Sequence, residues 1–226
     1  MKTDLLAQVA HELRQPLSAI STAAGLLASS ASETARRRAV SVVGRQTNHL
    51  RLLIDDLLDL SRMTRQELQL HKSRIDLCEV VEDSVSVIVP DVDARRIELS
   101  SSVPSCPIYV TADPTRVRQI LSNVLSNAVK FTAEGGKIDL TVENASAHVV
   151  VRIRDNGRGI PPDRLSVIFE MFQKGDGESA GLGVGLAVAK GLTEMHGGSI
   201  EARSDGPGHG SEFVVTLPIA SALSAI

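Results

Sequence analysis

Apolar residues fall into two long runs at the start of the chain, each with alternating spacings of four and three. Leu6, Ala10, Leu13, Leu17, Ile20, Ala24 and Leu27 make the first run, and Val40, Val43, Thr47, Leu50, Ile54, Leu57 and Ser61 the second. This is a heptad seam, the pattern of helices packed nearly parallel over several turns. The polar stretch Ser29–Glu33 between them supplies a turn and a helix start. Two such helices cannot bury their seams alone, so the expected arrangement is a homodimeric four-helix bundle. A hairpin packed against its own chain's second domain is the alternative.

Beyond Arg65 the pattern changes. His71–Asp76 reads as a short polar hinge. Strands are predicted at Ile97–Ser101, Ile108–Val110, Lys137–Val142, Val149–Arg154, Ser199–Ala202 and Glu212–Leu217. Helices are predicted at Leu77–Val89, Asp113–Phe131 and Val184–Met195. Strands and helices mix without a regular βαβ rhythm, which implies an α+β sandwich with a mixed sheet. The expected division is 1–70 for the helical domain, 71–76 for the hinge, 77–219 for the α+β domain and 220–226 for a C-terminal tail.

A length of 226 residues accommodates two such domains, each with its own core. The net charge of −3 gives no basic excess for nucleic acid or an anionic membrane. Aromatic side chains for base stacking are scarce, with no Trp, one Tyr and four Phe. Cys78 and Cys106 have neither metal-site spacing nor a disulfide framework, which fits a reducing, cytoplasmic location. No apolar run has membrane-spanning length.

Chemistry concentrates in the second domain. Asp113-Pro114 opens a helix with an N-cap carboxylate and Pro in the first turn. Opposite its apolar face lies a polar stripe of Arg116, Gln119, Asn123, Asn127 and Lys130. Such a stripe is usually a solvated face, but two Asn are poor choices for mere solvation. An Asn carbonyl can bind Mg²⁺, and a Lys one turn on can meet phosphate. The strand Val149–Arg154 ends in Asp155-Asn156-Gly157-Arg158-Gly159-Ile160, where the glycines admit a flat ligand and the acceptor-only carboxylate can select an amino donor. Gly181-Leu182-Gly183-Val184-Gly185-Leu186 opens the next helix and suits phosphates. It is not a dinucleotide fingerprint, because Leu186 stands where that motif needs a third Gly. The preceding Glu170–Ala180 has the composition of a mobile lid. Taken singly, each of these is equally a turn, a loop or a solvated face.

Their order is more specific. Asn-x3-Asn-x2-Lys, Asp-x-Gly-x-Gly, Phe169-Glu170-Met171-Phe172 and the glycine run resemble the N, G1, F and G2 boxes of the histidine kinase nucleotide-binding domain, a Bergerat fold. His11-Glu12-Leu13-Arg14-Gln15-Pro16-Leu17 resembles the same family's H box. The resemblance implies autophosphorylation of His11 with ATP and Mg²⁺, then transfer to a response regulator, in the cytoplasmic part of a larger sensor. It implies a catalytic set of His11, Glu12 and Gln15, with Glu12 as the acidic partner of the His11 ring. Its nucleotide set is Asn123, Asn127, Lys130, Asp155, Gly157, Gly159, Ile160, Phe172, Lys174, Gly181, Leu182, Gly183 and Gly185, with Asn127 as the metal ligand.

Three features depart from the family pattern. Gln15 replaces the common Thr or Asn, Ala180 precedes the glycine run, and only ten residues precede His11. The last point suggests a fragment of a longer protein. Two rivals stay open: a Bergerat-fold ATPase and a catalytically silent dimeric scaffold. Against the ATPase, Asn123 stands where that class has its general-base Glu, and an amide cannot abstract a proton from water. Against the scaffold, His11, Asn127, Asp155 and the glycines are all present.

Overall fold

The computed structural model describes residues 2–29, 32–173 and 182–219. Residues 1–68 and 171–184 make one compact unit, and 69–170 with 185–226 the other. The tail 220–226, Ala31 and Ser30 of the expected turn, and Lys174 and Gly181 lie outside the described residues.

The first unit is a hairpin of α1 (Lys2–Ala28) and α2 (Glu33–Thr64). The Ser32 hydroxyl caps α2 by accepting from Ala35 N–H at 3.3 Å. Inside the hairpin the buried side chains include Pro16, Ala23, Ala39 and Leu53. This stripe is offset from the seam expected from the sequence. Leu17, Val40 and Ile54 of that seam stay 49%, 59% and 43% exposed within one chain. A hairpin uses one stripe for its own contact and leaves the neighbouring one for further helices, as a bundle of more than two helices requires.

The second unit orders β1 (Ser73–Asp76), α3 (Leu77–Ala94), β2 (Glu98–Ser102), β3 (Tyr109–Ala112), α4 (Pro114–Phe131), β4 (Lys137–Ala145), β5 (His148–Asp155), α5 (Pro162–Leu165), α6 (Gly185–Met195), β6 (Ser199–Arg203) and β7 (Ser211–Pro218). Five strands form a mixed sheet in the order β2-β4-β5-β7-β6, with β2 and β4 parallel and the other pairs antiparallel. Alternation sorts its two faces. Ile138, Leu140 and Val142 of β4, and Val149, Val151 and Ile153 of β5, are buried on the side where α4 and α6 pack. On the polar side Arg152 pairs with Glu143 and Glu212, and Arg203 with Glu201 and Glu212. The expected α+β sandwich with a mixed sheet is what forms.

Two expectations are corrected. The segment read as a polar hinge contains β1, which pairs antiparallel with β3 from Ser73–Ala112 to Asp76–Tyr109. Its side chains are exposed or half-buried, so no apolar alternation announces it. Asp76 then caps α3, its Oδ1 accepting from Cys78 N–H at 3.0 Å and Ile108 N–H at 3.1 Å. Second, α3 continues through Pro90 to Ala94 rather than stopping at Val89. Pro90 cannot bond the Ser86 carbonyl, but both residues are exposed, so water can satisfy that oxygen.

At the base of the helical layer His196 is buried, accepting at Nε2 from Asp113 N–H at 3.0 Å and donating from Nδ1 to Leu192 O at 2.7 Å. Burial pushes its pKa below the ordinary 6.5, with the Lys72 ammonium adding to this and the Leu192 carbonyl and Asp113 opposing it. As pH falls from about 6.5 toward the lowered folded value, the unfolded chain takes up a proton that the folded chain refuses. Stability contributed by His196 is therefore present above that window and lost below it. Urea unfolding should show a lower midpoint at pH 5.5 than at pH 7.5, and His196→Gln should narrow the difference. An equal difference in both proteins would show that His196 is not its source.

Candidate functional site

Strand β5 delivers Asp155 at its C-terminal end, 4% exposed. Its Oδ1 accepts from Gly157 N–H at 2.8 Å, and its Oδ2 accepts from the Ser211 hydroxyl at 2.5 Å. The register of β5 on β7 sets Ser211 directly opposite Asp155. Each oxygen keeps one further acceptor position, so the carboxylate is fixed in direction yet can still receive a donor.

The turn after Asp155 is clamped on two sides. Arg158 N–H donates to Phe131 O at the end of α4 (3.1 Å), and a Cβ on Gly157 would lie 2.3 Å from that same oxygen. From the other side, Gly208 N–H donates to Arg158 O at 2.7 Å and Gly210 N–H to Gly157 O at 3.1 Å. Ile160 N–H donates to the Ser204 hydroxyl at 3.0 Å. A Cβ on Gly159 would meet Gly206 O at 2.1 Å, and one on Gly210 would meet Asp155 O at 2.0 Å. Ser211, Ser204 and the loop glycines were missed from the sequence. The signal available was the alternation of Gly206, Gly208 and Gly210 just before a strand.

Asn123 and Asn127 share a face of α4 but differ in what they meet. The Asn123 amide donates to Gly185 O at 2.9 Å, tying α4 to the first residue of α6. Asn127, one turn later, is half-buried, and its amide has no hydrogen bond among the described residues. A half-buried oxygen without a partner fits a cation that takes most of its ligands from phosphate and water. Among the described residues no cluster of three or more His, Cys, Asp or Glu could hold a metal. The Lys130 ammonium lies 4.9 Å from the Phe131 ring centre and the Arg158 guanidinium 4.0 Å from it, so two cations flank the end of α4. Arg158 was not singled out from the sequence.

The described residues 171–173 and 182–184 belong to the first unit. There Phe172 N–H donates to Gly183 O at 2.9 Å, with Phe172 at φ 65° and the Leu182 side chain buried. The expected contacts of Lys174 and Gly181 lie outside the described residues.

On α1, His11 is exposed and Glu12 is buried, 3% exposed and not free. The Gln15 amide nitrogen lies 3.3 Å from His11 Nε2. An amide nitrogen only donates, so in this contact Nε2 is the acceptor and Nδ1 carries the ring proton. The helix runs on through Pro16.

Comparison with known proteins covers both units. The family model described as "Histidine kinase-, DNA gyrase B-, and HSP90-like ATPase" matches residues 112–221, and "His Kinase A (phospho-acceptor) domain" matches 1–66. The chain is 32% identical to the sensor protein GacS of Pseudomonas syringae over 98% of its own length and 25% of that protein. It is 36% identical to the adaptive-response sensory kinase SasA of Parasynechococcus marenigrum, over 95% of this chain and 56% of that one. The crystal structure of full-length ShkA in complex with AMPPNP superposes with a TM-score of 0.72 at 30% identity, covering 97% of this chain and 46% of that one. The chain thus spans between a quarter and just over half of the length of these two curated relatives.

The clamp around Asp155 makes a contrast between two glycines. Gly208 and Gly210 both have positive φ, +83° and +71°, but a Cβ at Gly208 meets nothing within 4 Å. Gly208→Ala should cost only the backbone strain, about 1–2 kcal/mol. Gly210→Ala adds a backbone clash costing roughly 1–3 kcal/mol more. Denaturant unfolding of the two variants measures this, and equal losses would show that the loop yields freely.

Proposed function

The chain belongs to the sensor histidine kinases, and from that premise we propose that it is a catalytic core which phosphorylates His11 from ATP and passes the phosphoryl group to a response regulator. The observation that carries this reading is the presence, in one chain, of an exposed His11 and an Asp155 carboxylate fixed by two hydrogen bonds. Asp155 is the acceptor for the adenine amine, with Gly157, Gly159 and Ile160 shaping the pocket. Asn127 would hold Mg²⁺ and Lys130 would meet phosphate, and the family resemblance assigns Phe172, Lys174, Gly181, Leu182, Gly183 and Gly185 to nucleotide binding. The metal, when bound, neutralises charge that develops on the phosphates.

Chemistry at His11 is in-line displacement. Its Nε2 forms an N–P bond as the P–O bond to ADP breaks, and Glu12 draws the proton from Nδ1. In the second transfer an Asp oxygen of the regulator forms a P–O bond as the N–P bond breaks, returning His11 to imidazole. The exposed apolar stripe of Leu17, Val40 and Ile54 supports a homodimer in which two hairpins complete a four-helix bundle. We assign residues 1–70 to dimerisation and phosphoacceptance and 77–219 to nucleotide binding, on the cytoplasmic side of a longer sensor. No described helix is long and apolar enough to cross a membrane. The ATPase reading is disfavoured because the Asn123 amide is already committed to Gly185 O and has no basic group to offer water.

Incubation with γ-labelled ATP tests the proposal. The chain should retain label in an acid-labile, base-stable form, whereas release of inorganic phosphate without labelled protein would favour an ATPase. His11→Ala should abolish labelling with ATP affinity nearly intact. Asp155→Asn should instead weaken ATP binding, and unchanged calorimetric affinity in that variant would remove the adenine assignment.

Gln15 bears on hydrolysis of the regulator's aspartyl phosphate, in which a water oxygen bonds to phosphorus as the bond to the Asp oxygen breaks and the amide would orient that water. Its amide reaches the His11 ring, but compared with Asn it has one more methylene and one more torsion to fix. A water misplaced by about 1 Å can cost on the order of a hundredfold in rate. The chain should therefore dephosphorylate its partner regulator weakly, and Gln15→Asn should speed this. Phosphate release measured with ADP present and ATP absent decides; rapid release that Gln15→Asn slows would show that the longer amide places water well.

A further inference from the structure

Helices α4 and α6 run antiparallel and are joined at both ends of α6, one join at the middle of α4 and the other at its N-cap. At one end the Asn123 amide donates to Gly185 O at 2.9 Å. At the other, His196 Nε2 accepts from Asp113 N–H at 3.0 Å, just before α4 starts and just after α6 stops. The stretches between the pins match, each rising about 15 Å at 1.5 Å per residue. The second pin is buried, with Asp113 5% and His196 4% exposed.

That second pin also grips the first residues of the unit. His71 N–H donates to Asp113 Oδ2 at 2.9 Å, and Lys72 Nζ donates to Met195 O at 3.0 Å. Asp113 Oδ1 meanwhile caps α4 by accepting from Thr115 N–H at 3.0 Å and Arg116 N–H at 3.2 Å. One carboxylate and one imidazole thus join three pieces of chain that are distant in sequence. Burial works against the ionised Asp113, but these three N–H donors outweigh it and hold its pKa below the usual carboxylate range.

We propose that Asp113, His196 and Lys72 form a latch that transmits the placement of His71–Lys72 along α4 and α6 to Asn123 and Asn127, making them positioning residues for nucleotide binding. This rests on the reading of the Asn123–Asn127 face as the nucleotide site. The helix pair is the physical carrier: with α6 joined to α4 at its two ends, a shift at one join reaches the other through packed, hydrogen-bonded elements. His196 can accept from Asp113 N–H only while neutral, because a protonated ring would set N–H against N–H. The charged groups around it are Lys72 from the preceding segment and Asp113 from the α4 cap. On its own helix the Lys190–Glu194 pair is exposed.

The test uses the whole chain with three variants, reading ATP affinity by calorimetry, labelling rate at saturating ATP, and amide exchange at Asp113–Asn123 without nucleotide. His196→Phe removes the acceptor and should weaken ATP affinity about fivefold or more, with the saturated labelling rate little changed. His196→Gln, whose amide oxygen can accept without titrating, should restore most of the affinity. The unmodified chain should lose additional ATP affinity between pH 7.5 and pH 5.5, and His196→Gln should flatten that loss. Lys72→Met should speed exchange in the first turn of α4. Unchanged ATP affinity in folded His196→Phe, or the same pH response in His196→Gln, would overturn the latch. If His196→Phe does not fold, the other two variants decide. Failure of the unmodified chain to bind ATP would instead overturn the nucleotide reading, with exchange still reporting on the latch.

Discussion

Where the turn after β5 meets the loop before β7, two stretches of backbone lie too close for any side chain between them. A carbon on Gly159 or Gly210 would sit about as near to a carbonyl oxygen as a hydrogen does in a hydrogen bond. This closeness allows Gly208 and Gly210 to bond the turn from outside while Arg158 bonds the end of α4 from inside. The Asp155 carboxylate is thereby held in a buried position that costs free energy unless it is compensated. Gly157 N–H and the Ser211 hydroxyl provide that compensation and fix the direction of the remaining lone pairs. A carboxylate held this way discriminates among ligands without moving, which is what selective recognition needs.

The rest of the second unit serves this corner. Alternation along β4, β5 and β7 gives the sheet one apolar face, and α4 and α6 lie on it. That layering brings the end of α4 to the turn and the start of α6 to Asn123. The proposed phosphoacceptor, His11, belongs to the other unit, where it is exposed beside Gln15 on a long helix.

Much of this was legible in the residue order, for local reasons. The α4 boundaries followed from Asp113-Pro114 and a regular apolar face, and the structure caps the helix at Asp113 as that pattern requires. Asp155 and its glycines stood out less by themselves, since a glycine-bearing turn with a capping Asp is common, than by their place in the order of motifs. What escaped was non-local. Strand β1 is mostly exposed, so its pairing with β3 left no periodic trace. Ser211 matters only because the β5–β7 register sets it opposite Asp155, and no spacing along the chain encodes that register. The seam along α1 and α2 was read as one stripe, whereas the hairpin buries a neighbouring stripe of small residues such as Ala23 and Ala39.

On the proposed reading Asp155 recognises an amino donor on the base rather than merely shaping a pocket. Its most direct test compares the affinity of the unmodified chain for ATP and for the triphosphate whose base carries a keto oxygen in place of the amino group. A buried acceptor facing that oxygen would lose its donor and meet a second acceptor, so ATP should bind tighter by about a hundredfold or more. Equal affinity for the two triphosphates would contradict the account.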